Sequence, residues 1–299
     1  MKSSTSTASS LPGRKGESKR SCEPGPARPR RSRLPVRAAG ATLLPVVLLL
    51  AAPANAATFR AEYRITLAGL TLGGADLTGA TEGDRYELKM RAQLTGLAGL
   101  FTSSGRGGAD AAGTLGSARL VPTTFTATGR SSSAERTVRM GLAGSTATSV
   151  SIEPPFEPRP DLGERVPLAE ADKRGVIDPL SGVVVLAQNR ARPFEPANCN
   201  RTIPVFDGTQ RFNLVLSYGE TRAVRKPGYA GDVLVCNARY VPVAGHRPSR
   251  PSVRFMQDTR DISVWLAPVE GTRLLVPMRI SVATMLGTTV VEAEKWNVD

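Results

Sequence analysis

The sequence predicts a mainly all-β fold: an antiparallel, strongly curved sheet or barrel-like meander with one central helix. Three observations carry that prediction. Apolar and polar residues alternate along many short runs, the period of a half-buried strand. Gly-, Ser- and Asp-Gly-containing turns separate the runs. Only one segment opens with a clear helix-start pattern, Asp178-Pro179.

The first run places Phe59, Ala61, Tyr63, Ile65 and Leu67 on one face and Thr58, Arg60, Glu62, Arg64 and Thr66 on the other. Gly69 and Gly73-Gly74 punctuate the next stretch. After a Glu82-Gly83-Asp84 turn, Tyr86, Leu88, Met90, Ala92 and Leu94 repeat the pattern. Leu120–Thr128, Ala134–Leu142 and Thr146–Ile152 are further strands. Glu153–Pro160 holds four prolines in eight residues, which cannot donate to a ladder, and reads as a long connection within one domain. Asp178 suits an N-cap and Pro179 the first helical position, so a mostly apolar, buried helix is expected through about Asn189. Arg201–Phe206 and Gln210–Tyr218 flank Asp207-Gly208, a hairpin signal. Asp232–Val241, Arg260–Leu266, Arg273–Val282 and Thr288–Lys295 complete a set of about ten to twelve strands.

Ahead of this domain, residues 1–56 read as a signal peptide with an extended basic leader. Ala38–Ala52 is an uncharged apolar run, preceded by Arg31, Arg33 and Arg37 and followed by Ala54-Asn55-Ala56, a small-x-small cleavage pattern. The run falls short of the roughly 20 residues that span a bilayer, and Pro45 weakens it as a membrane helix. Arg30-Arg31 fits a twin-arginine pattern poorly, and the long leader also allows translation to begin nearer Leu34 or Val36. The expectation is a periplasmic protein cut near Ala56, with residues 57–299 forming a single β-rich domain.

Charge supports this division. The formal net charge is +13, and residues 1–56, with ten basic and two acidic residues, carry +8 of it. The remaining +5 is spread over strand-like runs rather than gathered into a basic stripe with stacking aromatics, which argues against nucleic acid as a partner. Cys22 leaves with the leader. Cys199 and Cys236 remain, an even count that suggests a disulfide in an oxidising compartment. A catalytic or metal-binding thiol pair is the alternative, but no Cys-x-x-Cys spacing occurs.

Groups for chemistry are sparse. His246 is the only histidine and reads as an exposed loop residue. No Gly-x-Ser-x-Gly elbow exists to accompany it as a base. Glu292/Glu294 and Glu170/Asp172 are acidic pairs that read as solvated faces. Gly105-Arg-Gly-Gly108 lacks the features of a phosphate loop and reads as a turn, and Asp258-Thr-Arg-Asp261 as a polar connection. Trp265, Trp296, Phe59, Tyr63, Phe125, Phe212 and Phe255 either fill the core or line an apolar concavity. No catalytic, cofactor-binding or metal residue is expected, and no cofactor.

The order of several motifs resembles the domain of unknown function 3108 family of bacterial exported proteins. They are Tyr63-Arg-Ile-Thr-Leu-Ala-Gly-Leu-Thr-Leu-Gly73, Asp178-Pro-Leu-Ser181, Cys199 followed by Pro204-Val-Phe-Asp-Gly208 and Arg211-Phe, and Cys236 followed by Pro242-Val-Ala-Gly245. Ile262-Ser-Val-Trp-Leu266 and Leu275-Val-Pro-Met-Arg-Ile280 close the series. The resemblance covers residues 58–296 and implies a periplasmic β-rich fold and the disulfide. It implies no activity and no catalytic residues. At the level of architecture the chain is also similar to the half-barrels that carry lipoproteins across the periplasm. The first expectation is a non-catalytic binding or carrier protein for a lipid or other apolar ligand. The alternative is a structural or interaction factor in cell-envelope assembly with a protein partner. A carboxylate-based hydrolase of envelope polymers is a third.

Overall fold

The computed structural model describes residues 56–94, 105–131 and 134–298. The leader, the apolar run and the cleavage pattern up to Asn55 lie outside the described residues. Fourteen strands are present among them: β1 Ala56–Leu67, β2 Leu70–Glu82, β3 Arg85–Leu94, β4 Gly105–Leu115, β5 Leu120–Ser131, β6 Glu135–Ala143, β7 Thr146–Glu153, β8 Val185–Leu186, β9 Arg201–Phe206, β10 Arg211–Lys226, β11 Tyr229–Ala244, β12 Ile262–Pro268, β13 Leu274–Thr284 and β14 Gly287–Val298. Two helices accompany them, α1 Pro179–Gly182 and α2 Pro251–Asp258.

The mainly all-β, antiparallel reading holds. Strand order is β7-β6-β5-β4-β3-β2-β1-β14-β13-β12-β11-β10-β9. Two hairpin meanders, β1–β7 and β9–β14, are joined through the antiparallel β1–β14 pair, with Phe59 opposite Val298 and Leu67 opposite Thr289. Such a sheet must twist and curl, because each strand is rotated against its neighbour in the same sense. It curls without closing, and β7 and β9 are its edges. The segment before α1 bridges the gap between them. Val176 N–H donates to Ser145 O in the β6–β7 turn. Ile177 N–H donates to Pro204 O, and Phe206 N–H donates back to Ile177 O.

Alternation in β1 does what its period requires: Phe59, Ala61 and Tyr63 are buried. Phe59 stacks on Trp296 at 6.5 Å between ring centres, and Tyr229 meets the same indole edge-on at 5.8 Å. The buried Tyr63 hydroxyl donates to Pro277 O at 2.6 Å, which satisfies its polar end. The core continues through Leu77, Leu88, Phe125, Met140 and Met278. A second cluster lies around Leu216, Leu234, Ile262 and Leu266 and encloses the disulfide. Cys199 and Cys236 are bonded, with Cα atoms 5.4 Å apart. The bond ties the entry of β9 to β11 across the intervening β10.

Four expectations are corrected. The central helix stops at Gly182 instead of reaching Asn189. Gly182 and the β-branched Val183-Val184-Val185 disfavour further turns. Backbone groups of Val185 and Leu186 instead pair with Leu275 and Leu274 of β13. Besides the one expected helix there is a second, α2, in the stretch before β12 for which the sequence pattern predicts no element. Pro251 suits its first position and Val253 and Met256 share one face, but eight residues are too short a run for that period to stand out in the sequence. Gly105–Gly108 is the start of β4 rather than a turn. Finally, His246 is not an exposed loop residue: it is 8% exposed and lies beside the Gly245 turn. That turn is held by Gly245 N–H to Val166 O and Val166 N–H to His246 O.

Candidate functional site: an apolar trough

The cross-strand register explains where empty space arises. One inward row runs Gly129, Gly107, Ala92, Ala75 and Tyr63 across β5, β4, β3, β2 and β1. The next row runs Ala127, Ala109, Met90, Leu77 and Ala61. One step further the row runs Phe125, Ala111, Leu88, Gly79 and Phe59, in which the Phe125 and Phe59 rings and Leu88 fill the core, the Phe59 ring and Leu88 lying against Gly79. Small residues thus occupy the inward positions toward one end of the sheet and large ones toward the middle. Interiors normally pack without voids, so the missing side chains leave a cavity, of about 830 Å³ and open to solvent.

The trough is bounded by β3–β6 on one side and by α1 on the other. Met90, Phe125, Ala127 and Val138 form one wall, and Pro179, Leu180 and Val183 face them. Its size lies within the roughly 300–1,000 Å³ of pockets that hold small molecules. Basic residues collect at the mouth. Arg136 shares the inward register with Val138, Met140 and Leu142 of β6. Its Nε donates to Pro154 O at 2.9 Å, and its guanidinium lies 4.1 Å from the centre of the Phe156 ring. Arg106 and Arg130 border the rim, Arg130 paired with Glu135. An elongated apolar molecule with one anionic end fits this distribution.

Behind the α1 wall lies a buried polar cluster. Asp178 Oδ1 accepts from the N–H groups of Leu180 and Ser181, both at 2.9 Å, as an N-cap should. Ser181 Oγ and the Tyr86 hydroxyl are 2.7 Å apart. Burial holds the Asp178 carboxyl above the usual range, against the lowering effect of the Ser181 and Leu180 hydrogen bonds. Burial likewise pushes the Tyr86 hydroxyl up, the hydrogen bond with Ser181 opposing it. Asp178 Oδ2 and His246 Nδ1 are buried without a protein partner. Burial also pushes the His246 imidazole below its ordinary value. The cluster anchors α1 to β3 and thereby fixes one wall of the trough.

The acidic pairs are engaged elsewhere. Glu292 meets Lys226 and Arg279, each at 2.7 Å, and Glu294 pairs with Arg64. Glu170 pairs with Lys173 at 2.6 Å, and Asp172 caps Ala169 N–H at 2.9 Å. Of the aromatic residues, Phe125 alone both fills the core and lines the trough; Trp296, Phe59 and Tyr63 are core, and Trp265 sits between the Arg222 and Arg279 guanidinium groups. The glycines and alanines that create the trough do not stand out in the sequence by residue type. Their one signal is a period-2 set of small residues, Gly105, Gly107, Ala109 and Ala111 in β4 and Ala127 and Gly129 in β5.

These features define a curled, open antiparallel sheet with an apolar trough between its first meander and a capped central turn. Residues 62–294 match the family model described as protein of unknown function DUF3108, and the chain belongs to that family. No match was found among curated proteins or among solved structures.

Proposed function

We propose that the protein is an exported, non-catalytic carrier that holds an acyl chain, or a comparable apolar chain with an anionic end, in the trough. The supporting observation is the 830 Å³ cavity formed by small inward residues on β3, β4 and β5, with Arg136 of β6 at its mouth. Chain methylenes would lie along Ala109, Ala127, Val138 and Leu180, and the anionic end would meet the Arg136 guanidinium. Burial of each methylene stabilises by about 0.8 kcal/mol, roughly fourfold in affinity.

The test is native mass spectrometry of the protein from its own cell envelope, before and after solvent extraction, followed by rebinding of fatty acids of increasing length. The expected result is a co-purifying mass lost on extraction and a roughly fourfold gain per methylene until the trough is full. A ligand-free mass combined with affinities independent of chain length would sink the carrier reading. A role as an interaction factor in envelope assembly is the second reading. It draws on the edge strand β7, where Val150 is exposed, as a site for strand addition. Saturable acyl binding with no crosslinked partner at β7 would count against it.

A further inference from the structure

Antiparallel order puts one set of strand ends at the same end of the sheet. The β1–β2 turn, the β13–β14 turn and the ends of β3, β4, β5 and β6 at Leu94, Gly105, Ser131 and Glu135 all lie there. Among the described residues the trough opens at this end, where Leu94, Gly105, Ser131 and Ala134 line it. Leu94 is paired directly with Gly73, three residues from Leu70.

The two hairpins have an unusual surface. Their tips expose Leu70 by 49%, Met285 by 58% and Leu286 by 73%. They abut: Ala68 N–H donates to Thr288 O at 2.9 Å, and a side chain at Gly287, whose φ is +115°, would meet Ala68 Cβ at 2.9 Å. Residues 65–75 and 280–291 contain no charged side chain, in a protein of which 22% of residues are charged. Thr66 and Thr71, paired across the first hairpin, and Thr284, Thr288 and Thr289 of the second follow the apolar tips in register as a belt of threonines.

The tip backbone is also internally bonded. Thr284 and Gly287 pair across the β13–β14 turn, Thr284 Oγ1 donates to Gly287 O, and Leu286 N–H donates to Thr284 Oγ1. Leu67 and Leu70 pair across the other turn. Unsatisfied backbone groups make entry into hydrocarbon costly, and here many are already engaged. Three convex aliphatic side chains cannot supply the roughly 800 Å² per partner of a specific protein interface. A fluid apolar phase needs no complementary pocket.

We propose that this end docks on a lipid bilayer, with Leu70, Met285 and Leu286 in the acyl region, the threonine belt at headgroup depth and the trough mouth facing the membrane. The proposal rests on the carrier reading for its purpose, direct passage of an acyl chain between bilayer and trough, but not for its geometry. Arg106, Arg130 and Arg136 at the rim favour an anionic surface.

The experiment places a tryptophan by Leu286→Trp in the tip and, as a control, by Asp84→Trp in the β2–β3 turn at the opposite end. Each full chain is mixed with vesicles of phosphatidylethanolamine and phosphatidylglycerol carrying brominated acyl chains, and the signal of the parent chain is subtracted. The expected result is strong quenching of the tryptophan at position 286 and none at position 84. Combined Leu70→Ser, Met285→Ser and Leu286→Ser should weaken vesicle binding at least tenfold while leaving binding of a monomeric acyl probe unchanged. Equal quenching at the two positions, or none at 286, overturns the docking proposal. If acyl binding persists in that case the carrier reading stands, whereas tip insertion without acyl binding would leave docking standing and remove the carrier reading.

Discussion

Gly129→Leu separates ligand binding from folding. Gly129 is an inward position of β5, and a Cβ built there meets no atom within 4 Å. Its φ is not in the left-handed region, so a side chain introduces no backbone strain. Replacing glycine within a strand should leave stability unchanged or raise it by about 0.5 kcal/mol. The new isobutyl group would occupy trough space otherwise taken by the ligand. Displacing about three methylenes at about 0.8 kcal/mol each removes about 2.4 kcal/mol of binding, roughly sixtyfold in affinity. The assay is displacement of a fluorescent acyl probe, run alongside urea unfolding of the same preparation. An affinity within threefold of the parent, with the fold intact, would refute the assignment of the trough as the binding site.

Other perturbations test the frame around it. Breaking the Cys199–Cys236 bond by Cys199→Ser should destabilise by about 4 kcal/mol, because it releases a long loop in the unfolded chain; the parent under reductant should show the same drop in urea midpoint. Asp178→Asn retains the cap and removes the ionisation. Because burial raises the folded carboxyl above its unfolded value, this group's contribution is complete below about pH 4 and is lost as pH rises through the folded value. The asparagine variant should therefore be the more stable at neutral pH, and a parent that matches it across the whole pH range would contradict this sign. His246 carries the opposite sign. Its folded value is depressed, so stability should fall as pH drops below the unfolded value of about 6.5 and through the folded one. His246→Gln should flatten that limb of a plot of midpoint against pH.

Where packing follows a local period, the sequence is readable. β1, β3, β5, β6 and the Asp207-Gly208 hairpin follow directly from alternation and turn chemistry. The Asp178 cap is likewise a local signal, because its carboxylate bonds the next two free N–H groups. The length of α1 is not readable, since the competing partner is β13, about ninety residues away along the chain. The start of β4 is hidden because Gly105, Gly107 and Gly108 carry turn chemistry, whereas in the sheet Gly105 and Gly107 leave inward positions empty. His246 looks exposed among Gly, Arg and Pro, yet residues 163–166 cover its turn, a long-range contact that no local pattern encodes. The trough is the sharpest case. Its lining is defined by absent side chains in a cross-strand register, which emerges only when the strands are paired.

The most direct test of the trough as an acyl site is photolabelling with a fatty acid that carries a diazirine at its methyl end. Saturable labelling of β4–β6 and α1 is predicted, around Ala109, Ala127, Val138 and Leu180, with competition by unlabelled fatty acid and loss of the label in Gly129→Leu. Labelling confined to the smaller cavity of about 160 Å³ around Leu214, Tyr240 and Met256, or labelling that does not saturate, would contradict it.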